Sequence, residues 1–139
     1  MSNIDFSSLL LSSDSLLVKV PSELYNKSIS YIPQLLKDHS ICYVTLNKTY
    51  NSLKQRFSNE GFPLDHLVFI DAITRSMEQA ENTDDCYFVS SPQSLTELSI
   101  VISEFLNQNI DYIIIDSLTT LLIYQKNVDP VVKFGVNPQ

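Results

Sequence analysis

Apolar runs at residues 16–20, 41–46, 67–70, 86–89 and 112–115 punctuate this chain, and between them lie helical patterns or a polar loop. No other feature constrains the fold more. Short strands that alternate with helical stretches imply a parallel sheet covered by helices, because parallel neighbours need a long crossover between them. The last run, Tyr112-Ile113-Ile114-Ile115, is apolar throughout, as a central strand buried on both faces would be. Residues 25–37 read as the first helix. Thr49 caps a second, with Tyr50, Leu53 and Phe57 on one face and Gly61 and Pro63 ending it. Ser91 is expected to cap a third, with Pro92 in its first position and Leu95, Leu98, Val101, Ile102, Phe105 and Leu106 as its apolar stripe. Residues 74–85 are polar and acidic and read as an exposed loop. The reading is therefore an α/β fold of mostly parallel sheet flanked by helices. Ligands of such folds bind at the carboxyl ends of the strands, where Asn47, Asp71, Asp116 and the 21–28 segment would gather.

At 139 residues the chain is long enough for one domain with a proper core, residues 1–15 forming a serine-containing lead-in and 126–139 a tail. A net charge of −7, with the nine Lys and Arg scattered singly, argues against a general nucleic-acid binder. No stretch approaches the ~20 apolar residues of a membrane span. The N-terminus has no positively charged leader region, so a cytoplasmic location is expected. Cys42 and Cys86 lie in strand-like runs and suit burial as reduced thiols better than a bridge. His39 and His66 have no neighbouring ligand cluster to suggest a metal site.

Residues 21–28, Pro-Ser-Glu-Leu-Tyr-Asn-Lys-Ser, have the spacing of a phosphate-binding loop, G-x-x-x-x-G-K-[ST], with Lys27 and Ser28 kept and both glycines replaced. Pro21 stands at the first glycine and Asn26 at the second. Such a loop turns consecutive N–H groups inward around an anion, a path that glycine permits. Glu23 brings negative charge, and Leu24 and Tyr25 bring bulk, to the place where phosphate oxygens would sit. Pro33 adds a local conflict. A helix begun at the loop would carry this proline in its interior, at ~3 kcal/mol. A helix begun near Ser30 would place it in the first turn and leave Lys27 and Ser28 in a loop.

Residues 111–124, Asp-Tyr-Ile-Ile-Ile-Asp-Ser-Leu-Thr-Thr-Leu-Leu-Ile-Tyr, resemble the Walker B segment of RecA-like ATPases, in particular the KaiC-like branch common in archaea. Residues 66–74, with their Ile-Asp-Ala, and the Ser-Pro-Gln-Ser-Leu-Thr of 91–96 are similar to segments of that family in the same order. The likeness spans about residues 16–125. It implies a three-layer RecA-like fold in which Lys27 would reach the β- and γ-phosphates of ATP, Ser28 would hold Mg²⁺, and Asp116 would bind that ion through water. It also implies a catalytic glutamate at the end of the second strand, where this chain has Leu46-Asn47-Lys48. Asn47 cannot take a proton from water and Lys48 is a cation, so no catalytic residue is assigned. The expectation is a non-hydrolysing regulatory or scaffolding domain without a firm cofactor. The alternative is an ATP-binding protein or weak ATPase active in an oligomer. The family continues past the Walker B strand, whereas residues 129–139 leave little room. Either the sheet is short at its C-terminal side, with an exposed edge that favours a homo-oligomer or protein partner, or the tail caps that edge.

Overall fold

The structure, a computed structural model, describes residues 15–120 together with Ser8 and Ser12. Residues 121–139, the tail included, and most of the lead-in lie outside the described residues. The chain divides into two compact units, residues 1–38 and 39–139.

In the first unit, residues 15–20 carry no strand. Leu17 is 70% exposed, and Leu16 and Val18 are exposed as well, so this apolar run lacks the burial that makes a strand stable. A 3₁₀ turn, Ser22–Leu24, leads directly into helix α1, Tyr25–Leu35. The helix thus begins at the loop rather than near Ser30, and Pro33 sits inside it. The cost is contained because Pro33 falls in the last turn: only the bond from position 33 back to Ile29 is lost. Leu36 N–H and Lys37 N–H then close the end on the carbonyls of Pro33 and Gln34. Ile29, Pro33 and Leu36 form a buried stripe at helical spacing.

The second unit is α/β. Strands β1 (Ile41–Thr45), β2 (Leu67–Asp71), β3 (Cys86–Phe88) and β4 (Tyr112–Asp116) form an all-parallel sheet in the order β3-β2-β1-β4. Helices cover both faces. On one, α2 (Tyr50–Asn59) sets Tyr50, Leu53 and Phe57 down against Tyr43 and Phe69, whose rings meet those of Tyr50 and Phe57. On the other, α3 (Leu95–Leu106) packs Leu98 and Val101 onto Cys42, Val44 and Ile70. Alternation along β1 directs Tyr43 to the first face and Cys42 and Val44 to the second.

The ends of α2 follow from sequence. Thr49 Oγ1 accepts from Ser52 N–H at 3.1 Å, and Gly61 adopts φ +71. Gly61 N–H bonds Ser58 O and Phe62 N–H bonds Phe57 O, a Schellman closure sealed by the Phe57–Phe62 ring contact at 5.3 Å. Helix α3 starts three residues later than its Ser-Pro signal suggests. Ser91 Oγ accepts from Gln93 N–H at 3.2 Å, a local turn that competes with capping, and Ser94 becomes the cap position. Both cysteines are buried and unpaired, and burial pushes the Cys42 thiol up to about 12 and raises Cys86 as well.

Strand β4 departs from expectation. Its sequence suits a central strand, yet among the described residues it stands at one end of the sheet, with Ile115 41% exposed.

Between α2 and β3 lies a polar clamp absent from the sequence reading. Tyr50 donates its hydroxyl to Asp85 Oδ1 at 2.6 Å, Thr83 donates to the same oxygen at 2.8 Å, and Lys54 Nζ lies 3.3 Å from Asp85 Oδ2. Desolvation works to raise the Asp85 carboxyl, but the hydrogen bonds from Tyr50, Thr83 and Lys54 and the lysine charge together outweigh it and hold it below the usual carboxylate range. A lowered folded-state value contributes stability that is complete above the unfolded value and is lost as pH falls through the folded one. Urea unfolding at pH 7 and pH 3 should therefore show a smaller acid-induced loss in Asp85→Asn than in the wild type; an equal loss in both would dismiss the clamp.

Candidate functional site

The carboxyl ends of β1 and β4 meet where the strand order reverses. Chain leaving β1 passes to β2 by way of α2, while β4 arrives on the other side of β1 from α3. Such a switch point opens a crevice between diverging connections and is the usual ligand position in parallel sheets.

The side chains gathered there form one hydrogen-bonded circuit. Register pairs Thr45 with Asp116, and Leu46 N–H extends the ladder onto Asp116 O at 2.7 Å. Thr45 Oγ1 donates to Lys48 O at 2.6 Å and accepts from Lys48 N–H at 3.1 Å, which folds residues 45–48 into a tight turn with Asn47 at its tip. From that tip Asn47 Nδ2 donates to Asp116 Oδ1 at 3.1 Å and to Ser117 Oγ at 3.3 Å. The other carboxylate oxygen accepts from the buried Tyr43 hydroxyl at 2.8 Å. Thr120 Oγ1 donates to Asn47 Oδ1 and lies 3.1 Å from Ser117 Oγ, while Thr120 N–H donates to Ser117 Oγ at 3.3 Å. Asp116 itself is 7% exposed. The peptide bond between Asp116 and Ser117 is cis.

Each expected site residue has a definite place. Asn47 and Asp116 come together. Asp71, at the end of β2, is fully buried and bonds Tyr50 N–H, Ile73 N–H, Thr74 N–H and the Thr74 hydroxyl instead. Lys27 is exposed on the first turn of α1, and Ser28 donates its hydroxyl to Tyr25 O at 2.7 Å. Lys27 and Ser28 belong to the first unit and Asp116 to the second. Across residues 22–25 the amides of Leu24 and Tyr25 bond the carbonyls of Pro21 and Ser22.

The donor set around Asp116 does not suit the Mg²⁺ that the family resemblance implies. A divalent ion asks for oxygen lone pairs, whereas an amide N–H and a phenolic O–H here turn their positive ends to the carboxylate. Among the described residues no group of three or more His, Cys, Asp or Glu is placed to hold a metal. Tyr43, Ser117 and Thr120 were not singled out in the sequence; the one available signal was a tyrosine whose hydroxyl, in a strand buried along its whole length, needs a partner. Among those residues no helix is long and apolar enough to cross a membrane. Models of known protein families, curated proteins and solved structures yield no match to this chain.

Proposed function

We propose that the chain is a RecA/KaiC-like domain that keeps the sheet of an ATPase without its hydrolysis, and that it acts as a regulatory or scaffolding module through protein partners or copies of itself. The bond from Asn47 to Asp116 at 3.1 Å carries this reading. Hydrolysis needs a base beside the attacking water, and in the resembling family that base is a glutamate at this strand end. An amide cannot accept the proton, and this one is committed as a donor. The 3₁₀ turn at Ser22–Leu24 supports the same reading, because the amides of Leu24 and Tyr25 bond the carbonyls of Pro21 and Ser22 rather than turning toward an anion.

Phosphate release from radiolabelled ATP should be indistinguishable between wild type and Asp116→Ala, both close to the blank. Turnover of about 1 s⁻¹ or faster, abolished by Asp116→Ala, would overturn the proposal. A rise in Tm with millimolar Mg-ATP that disappears in Lys27→Ala would replace scaffolding with nucleotide sensing.

A further inference from the structure

We propose that the Asn47 amide occupies the cation position of the Asp116 carboxylate, so that this switch point is closed to divalent ions, and that one substitution at position 47 reopens it. The inference rests on the functional reading above only for the identity of the implied ion; the geometry stands by itself.

The orientation of the amide is fixed by its neighbours. With Nδ2 toward Asp116 and Ser117, Asn47 gives both hydrogens to oxygen acceptors, and Oδ1 receives the Thr120 hydroxyl. Rotating the amide by half a turn would set two oxygens against each other at Asp116 and leave the Thr120 hydroxyl facing N–H. The partially positive amide thus lies where a cation would, at 3.1 Å from Oδ1, while Tyr43 covers Oδ2 at 2.8 Å. An ion entering here must displace a held amide and gains one carboxylate with neutral hydroxyls, too little anionic charge to repay its dehydration. Aspartate at 47 reverses each term. It would turn a donor into an acceptor and set two carboxylates side by side, where like charges repel unless a cation lies between them. Ser117 and Thr120 would then offer hydroxyl oxygens to the same ion.

Mn²⁺ titration followed by electron paramagnetic resonance, without nucleotide, tests this separately from hydrolysis. The acidic surface will hold some Mn²⁺ loosely, so the comparison with Asp116→Asn decides. Wild type and Asp116→Asn should bind alike. Asn47→Asp should gain one site at least about tenfold tighter, since affinity follows ligand charge, and Asn47→Asp/Asp116→Asn should lose it. Tighter binding by wild type than by Asp116→Asn would overturn the proposal, as would a folded Asn47→Asp that binds no better than wild type. Should Asn47→Asp fail to fold, Asn47→Glu supplies the second carboxylate from the same exposed position, and without a new Asp116-dependent site in it the proposal falls. None of these measurements reads ATP turnover, so the functional reading stands or falls by its own assay.

Discussion

Replacing Asp71 with alanine is expected to cost on the order of 4 kcal/mol of folding stability. This carboxylate is fully buried at the end of β2 and accepts four hydrogen bonds. Tyr50 N–H, at 2.8 Å, begins α2. Ile73 N–H and Thr74 N–H, at 2.7 and 2.8 Å, begin the 3₁₀ turn Thr74–Ser76. One side chain therefore joins a strand end to the starts of two helical segments, supplying the acceptor that orphan N–H groups at helix starts require. Alanine leaves two buried N–H groups, a half-buried one and a hydroxyl without it, and each unmet donor costs ~1–3 kcal/mol, softened where water can enter. Asn should cost about half as much: its oxygen can serve Ile73 and Thr74, and the Thr74 hydroxyl can turn to accept, so Tyr50 N–H alone is left facing an amide. Urea unfolding at pH 7 reads both. A loss below ~1 kcal/mol in Asp71→Ala would mean that the bonds are made equally well without the carboxylate.

This residue also shows what the sequence could and could not convey. An acid at the end of an apolar run is legible as a strand-end position, and Asp71 and Asp116 both proved to be that. Nothing local distinguishes them. Asp71 is consumed by backbone donors because the chain turns back over it within three residues, whereas Asp116 faces the tip of the 45–48 turn. That difference depends on which strands are neighbours, and β1 and β4 are separated by most of the second unit in sequence. Periodicity and turn chemistry served well where structure is local: Thr49, Gly61, the apolar face of α2 and that of α3 as far as Phe105 behave as their spacing dictates, while Leu106, expected in the α3 stripe, is exposed at the helix end. They failed where a local pattern needs tertiary burial. The run at 16–20 has the composition of a strand without forming one, and the tyrosine in β1 revealed its role only once Asp116 was beside it.

Phe57→Ala is expected to cost about 3–5 kcal/mol. The ring is fully buried at the centre of an aromatic layer between α2 and the sheet, with centroids 5.3 Å from Phe62, 6.4 Å from Tyr43 and 6.5 Å from Phe69. Truncation removes transfer energy and leaves a void that stiff strands on one side and a capped helix on the other cannot close. It also removes the apolar partner of Phe62 in the Schellman closure, so the C-terminal turn of α2 should fray. Phe57→Leu keeps most of the volume and should cost about 1–2 kcal/mol, since only shape and ring contacts are lost. The gap between the two variants isolates the cavity. The consequence reaches the candidate site, because Tyr43 leans on Phe57 with one edge and holds Asp116 with its hydroxyl. A tyrosine free to tilt into the void would draw its hydroxyl off Oδ2. In the Mn²⁺ titration, Phe57→Ala placed on the Asn47→Asp background should therefore alter the Asp116-dependent affinity, while Phe57→Leu should leave it near the parent value. Equal stability of the alanine and leucine variants in urea would refute the packing argument from which this coupling is drawn.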